Sequence, residues 1–248
     1  MNSTTAPDQV EMHDSCEPSG IGAIRSVRLN GPAGSLEAVL NLGAHDAPFA
    51  ALVCHPHPVF GGNLHNKVVY HAMKALNDPD WGLGWPVLRF NFRGAGLSDG
   101  VHDGEAEAGD IVAALEWLER EFQRPLIVAG YSFGAAMALR ACCGLSQTRG
   151  EGSQGAPKVR ALIVLGLPMQ SSGSAYRCYS YSRDLAIPKL FLSGDCDEFA
   201  PVMQLVELVA SAAEPKRLIL LHGADHFFMG HLAAMQRAMA EWLKEQLP

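Results

Sequence analysis

Two hydrophobic patterns alternate along this chain. Residues 49–54 (FAALVC), 87–92 (VLRFNF), 125–129 (PLIVA), 161–165, 189–192 and 218–221 are short, largely apolar runs bounded by turn residues. Such runs, lacking strict alternation, mark strands covered on both faces. Between them, apolar positions recur at helical spacing. Over 65–76 they are Val68, Val69, Ala72, Met73 and Leu76, and Asn77-Asp78-Pro79 stops the helix. Over 111–122, Ile111, Ala114, Leu115, Leu118 and Phe122 form one stripe. Further helices are predicted just after residue 132, over 202–213 and over 232–247. Two β-like runs, 24–29 and 36–42, flank Asn30-Gly31-Pro32-Ala33-Gly34 and predict an antiparallel hairpin on one sheet edge. Strand and helix alternate after residue 48, which predicts an α/β fold with a mostly parallel sheet and helices on both faces.

Polar stretches delimit this core. Residues 1–20 are polar and aperiodic, with Pro7, Pro18 and Gly20, and predict a flexible leader ahead of one domain over 21–248. Residues 146–158 (SQTRGEGSQGAPK) and the Ser- and Tyr-rich 169–184 read as loops. The connection between the runs ending at 165 and starting at 189 is too short for a large cap domain, so an open site is expected.

Composition narrows the partners. With 248 residues, 48% of them hydrophobic and 18% charged, the chain can bury one large core. A net charge of -7 without any run of Lys and Arg argues against nucleic acid and against anionic membrane surfaces. The six cysteines (Cys16, Cys54, Cys142, Cys143, Cys178 and Cys196) include no C-x-x-C, which predicts free thiols in a reducing, cytoplasmic compartment. No signal peptide and no apolar stretch long enough for a membrane span is legible.

The chemistry centres on Gly130-Tyr131-Ser132-Phe133-Gly134, a G-x-S-x-G between a predicted strand and a predicted helix. At such a turn the serine is held in a strained conformation that lifts its hydroxyl above the sheet as a nucleophile. In an open α/β sheet the ligand site lies beyond the carboxyl ends of the strands. Two other strands end in useful residues, the first in Gly194-Asp195-Cys196-Asp197 and the second in His222-Gly223-Ala224-Asp225-His226. A serine needs a base, and the base an orienting carboxylate. His226 is preferred over His222 as base. Asp197 is preferred as acid over Asp195, whose competing role is to brace the turn, and Asp225 reads as a loop brace. The order Ser132, Asp197, His226 is that of serine hydrolases built on a G-x-S-x-G elbow.

An oxyanion needs two N–H donors. Phe133, just after the nucleophile, supplies one candidate amide. The loop His55-Pro56-His57-Pro58-Val59 supplies the other, from His57 or Val59, since proline has no N–H. The side chains of His55 and His57 read as loop packing. A metal site from them with His226 or His231 matches no ligand spacing, so no metal and no cofactor are expected. Arg93-Gly94-Ala95-Gly96 reads as a tight turn rather than a phosphate loop. Phe60, Tyr131, Phe199 and Phe227 flank the candidate site and are candidate walls of an apolar substrate pocket.

Taken in order, HPHPVFGGNLHNKVV, RFNFRGAGLSDG, GYSFGA, GDCDEFAP and GADHFF resemble a family of small, cap-less bacterial α/β-hydrolases related to dienelactone hydrolases and serine esterases. The resemblance covers most of 22–248 and implies the α/β-hydrolase fold, the triad Ser132, Asp197 and His226, and hydrolysis of a small-molecule carboxylic ester. Thioesters and amides are alternative substrates, and a non-catalytic binding protein is the alternative class. The chain departs from the family in having His65 where Asp is usual and in the polar loop around 145–158. Dienelactone hydrolases proper use a cysteine nucleophile, so Ser132 argues against that reaction.

Overall fold

A computed structural model describes residues 20, 22–148, 157–169 and 178–247. The predicted leader, apart from Gly20, and much of the polar loop around 145–158 lie outside the described residues. Eight strands form one sheet among those described: β1 (Ile24–Gly31), β2 (Gly34–Asn41), β3 (Ala50–Cys54), β4 (Val87–Phe90), β5 (Leu126–Tyr131), β6 (Val159–Leu165), β7 (Lys189–Gly194) and β8 (Lys216–Leu221). Their spatial order is β1-β2-β4-β3-β5-β6-β7-β8. The hairpin β1-β2 joins β4 antiparallel, and from β4 to β8 every pairing is parallel.

The unbroken apolar runs have a direct cause. Every residue of β3, β4, β5 and β7 is buried, because helices cover both faces. Alternate residues feed two cores. Leu52, Cys54 and Val128 face α2 (Glu107–Phe122), α3 (Phe133–Thr148) and α5 (Val202–Ser211). Val53, Ile127 and Tyr131 face α1 (Lys67–Asn77) and α6 (Leu232–Gln246). Edge strand β8 is only half-buried.

Boundaries moved where capping chemistry outweighs the apolar stripe. Asn66 caps α1, its side chain accepting from the Val68 amide. Helix α2 begins one turn before the predicted stripe, at the buried residues Glu107 and Asp110. The loop expected over 169–184 is corrected in its last part. Residues Cys178–Asp184 form a short helix, α4, which packs against α3 and α5. Its sequence CYSYSRD has no apolar periodicity, so tertiary contact selects it.

Buried charge ties the strand ends down. In the RFNFRGAG turn, Arg93 forks onto Asp110 of α2, with Nη2 2.6 Å from Oδ1 and Nε 3.0 Å from Oδ2. Asn91 accepts from the Leu64 amide and donates to Glu37. This motif therefore fastens the turn after β4, as expected of a tight turn.

Candidate active site

Ser132 stands between β5 and α3 with φ of 54°, a left-handed conformation that costs a non-glycine residue about 1 kcal/mol or more. Its amide donates to the Leu165 carbonyl at 2.9 Å, and its carbonyl accepts from Ala135 and Ala136. The flanking glycines are required by close approach. A Cβ on Gly134 would lie 2.5 Å from the carbonyl oxygens of Cys54 and His55, and one on Gly130 would run into the Gly134 carbonyl.

Ser132, Asp197 and His226 come together from three loops. His226 Nε2 is 3.0 Å from Ser132 Oγ, and His226 Nδ1 is 2.9 Å from Asp197 Oδ2. The ionised carboxylate can only accept, so the proton of His226 lies on Nδ1 and Nε2 is left to accept from the serine hydroxyl. Asp197 is buried and saturated: Oδ1 accepts from the Phe199 and Ala200 amides, and Oδ2 from Ser193 Oγ. Those bonds fix the carboxylate, and through it the imidazole plane.

Asp195 and His222 pair separately. Asp195 accepts from His222 Nδ1 at 2.8 Å and from the Gly223 amide at 2.7 Å, which joins the loops after β7 and β8. The His222 hydrogen bond, then that amide, hold its carboxyl below the usual carboxylate range. His222 is fully exposed. Asp225 accepts from the Met229 amide, the work of a loop brace.

The loop after β3 separates the two candidate donors. The Val59 amide donates to His57 Nδ1 at 3.3 Å, whereas the His57 amide has no acceptor among the described residues. Gly62 and Phe60 both donate to the His57 carbonyl, closing the turn. His55 is wholly buried, donating from Nδ1 to the Pro56 carbonyl at 2.6 Å and accepting at Nε2 from the Phe92 amide at 3.0 Å. Burial lowers its pKa from 6.5 to about 4, so His55 is a neutral strut. Burial, then the field of His102, also pulls His57 down.

The four aromatic pocket candidates part company. Phe60, Phe227 and Phe199 are 85%, 56% and 48% exposed around the site, with Phe199 4.7 Å and Phe227 5.5 Å from the His226 ring. Tyr131 is buried instead, and its hydroxyl donates to the His226 carbonyl at 3.1 Å. It holds the His226 loop from beneath.

Sequence reasoning missed three contributors. Ser193, near the end of β7, donates from its hydroxyl to Asp197 Oδ2 at 3.0 Å. Gly166 packs so closely that a Cβ there would lie 3.3 Å from the His226 ring. His102 touches the rings of both His57 and Phe133. A serine ending an apolar strand next to an acidic loop is a usable signal for the first; the other two depend on tertiary approach. Among the described residues no group of three or more His, Cys, Asp or Glu is placed to hold a metal ion. No helix among them is long and apolar enough to cross a membrane.

Residues 70–244 match a family model described as an alpha/beta hydrolase domain. An uncharacterized protein of Rickettsia prowazekii is 32% identical over 226 residues, covering 88% of this chain and 87% of the relative. A Xanthomonas campestris protein, described as an a/b serine hydrolase without lid, superposes with a TM-score of 0.76 at 30% identity, covering 91% of this chain and 95% of that one. An alpha-beta serine hydrolase homologue from Coxiella burnetii gives 0.74 at 31% identity, over 88% and 96%.

Proposed function

The chain belongs to the alpha/beta hydrolase family, and from that premise we propose that it is a serine hydrolase cleaving carboxylic esters through an acyl-enzyme. One observation carries the reading: a continuous relay, Ser132 Oγ to His226 Nε2 at 3.0 Å and His226 Nδ1 to Asp197 at 2.9 Å, hung on a strained elbow. Ser132 attacks the carbonyl carbon as His226 takes its proton. Asp197 keeps the imidazole in the accepting tautomer and stabilises the imidazolium that forms. The tetrahedral oxyanion is held by the backbone amides of Phe133, at the N-terminus of α3, and of His57. His57 is preferred over Val59 because the Val59 amide is already committed to the His57 ring. His226 returns its proton to the leaving alkoxide. It then activates a water that hydrolyses the acyl-enzyme.

The exposed rings of Phe60, Phe199 and Phe227 favour an apolar acyl or aryl group. A cytoplasmic setting belongs to the same proposal and is supported by the free thiols of Cys54, Cys142, Cys143 and Cys196. The test uses purified wild type and Ser132→Ala on short-chain aryl esters, with fluorophosphonate labelling alongside. Wild type should turn over and label, and the variant should lose roughly 10⁴-fold or more in kcat. Equal rates in the two proteins would overturn the assignment. A wild type that neither labels nor turns over would indicate a binding protein.

A further inference from the structure

We propose that His102, anchored on the buried carboxylate of Glu107, is a positioning residue that sets the spacing of the two oxyanion donors. The inference rests on the ester-hydrolase reading above, because it acts on the Phe133 and His57 amides named there.

Three rings form a closed triangle beside Ser132. His57 and Phe133 lie 4.9 Å apart between centroids, His57 and His102 4.6 Å, and His102 and Phe133 5.3 Å. Both His102 contacts are edge-to-face, an attractive arrangement for aromatic pairs. Two corners of the triangle are therefore the residues whose backbone amides must converge on one oxygen. They come from loops far apart in the chain, and the third corner touches both.

Phe133 is fixed from within, wholly buried at the start of α3 and packed on Phe92. The His57 loop is far less constrained. Its next residues, Val59 and Phe60, are 69% and 85% exposed, and its turn is closed by bonds to His57 itself. The imidazole of His57 is the part of this segment that reaches inward. Whatever braces that ring braces the donor.

His102 is suited to the task because it is itself held. Its Nδ1 lies 2.6 Å from Glu107 Oε1, a close contact without hydrogen-bond geometry, and Glu107 is wholly buried in the first turn of α2. Glu107 Oε1 accepts from the Asp103 amide at 3.0 Å, which folds the 102–107 segment around the pair. The neighbouring cation, Arg93, forks onto Asp110 and also lies in the field of Glu107, while the His102 ring is the group in closest contact with the Glu107 carboxyl among the salt-bridge contacts of the described residues. Neither Oε2 of Glu107 nor Nδ1 of His102 has a hydrogen-bond partner among those residues, so the two groups face each other with polar atoms that nothing else takes up. Burial, then the field of His102, lowers the His57 pKa, and His57 Nδ1 accepts from the Val59 amide.

A purely structural pair bracing the start of α2 would make a different prediction: stability would fall while each folded molecule kept its rate. The experiment therefore compares His102→Ala and His102→Phe with wild type on p-nitrophenyl acetate. Rates are expressed per active site titrated in the burst, with fluorophosphonate labelling rates and thermal midpoints measured in parallel. Loss of a whole oxyanion donor costs on the order of 10²- to 10³-fold in kcat, so a displaced donor should cost about 10- to 100-fold. We expect His102→Ala to lose that much in kcat and in labelling rate with KM within about three-fold, whatever the midpoint. His102→Phe keeps the ring contacts with His57 and Phe133 and should recover most of the loss. An active wild type beside a His102→Ala with unchanged kcat per titrated site overturns the positioning role alone. If His102→Ala does not fold, His102→Phe and Glu107→Gln decide: an unchanged kcat in both, or a drop in His102→Phe, refutes the anchored clamp, and a drop confined to Glu107→Gln supports it. A wild type inert to both ester and label sinks the hydrolase reading and this inference with it.

Discussion

His55 makes the fold acid-sensitive by an amount that can be worked out. Its ring is wholly buried, and both nitrogens are committed, Nδ1 to the Pro56 carbonyl and Nε2 to the Phe92 amide. Protonation would turn Nε2 from an acceptor into a donor facing another donor. Burial lowers the folded pKa from 6.5 to about 4. Between those values the unfolded chain takes up a proton that the folded chain refuses. Stability therefore falls as pH falls from 6.5 toward 4, and above 6.5 this group contributes no slope. At about 1.4 kcal/mol per unit the whole window amounts to about 3 kcal/mol, of which about 2 kcal/mol is lost by pH 5. Guanidinium unfolding of wild type and His55→Asn at pH 7 and pH 5 isolates this share, since other titrating groups are common to both. The variant should be less stable at pH 7, because the Phe92 amide loses its acceptor, yet its further loss on acidification should be smaller by about 2 kcal/mol. Parallel losses in the two proteins would refute the argument. So would a His55 ring resonance that titrates near pH 6.5 in the folded protein.

Three further outcomes follow from the site's geometry. Tyr131→Phe removes the donor to the buried His226 carbonyl and should lower unfolding free energy by about 1–2 kcal/mol, read by denaturant titration; an unchanged midpoint would show that the bond is idle. Ser132→Gly should be more stable than Ser132→Ala by about 1 kcal/mol, because both lack the hydroxyl and only alanine must hold a φ of 54°. Equal midpoints for the two would mean the elbow relaxes. Phe60→Ser should flatten the rise of kcat/KM with acyl-chain length by about 1 kcal/mol over a series of p-nitrophenyl esters, leaving acetate unchanged; parallel profiles would place the acyl group elsewhere.

The sequence determined the sheet strands, the flanking helices and the elbow, because each is a local statement. An apolar run such as FAALVC must be covered on both faces wherever it lies, and Gly130 and Gly134 mark a backbone crossing before its partner is known. The order Ser132, Asp197, His226 was legible for the same reason, each residue following its own strand. What only tertiary structure decided are relations between segments. The insertion of β4 between β2 and β3 leaves no trace in periodicity. Helix α4 lacks an apolar stripe and is selected by contact with α3 and α5. Tyr131, an aromatic beside Ser132, could equally have lined a pocket. Its downward-facing position in β5 sent it into the core beneath His226. The preference proposed for the His57 amide over that of Val59 rests on one hydrogen bond to an imidazole two residues away. Local propensity and burial pattern are written in composition and spacing. The distance between two loops is set by everything packed beneath them, and for the ring of His57 that includes a histidine and a glutamate at the start of α2.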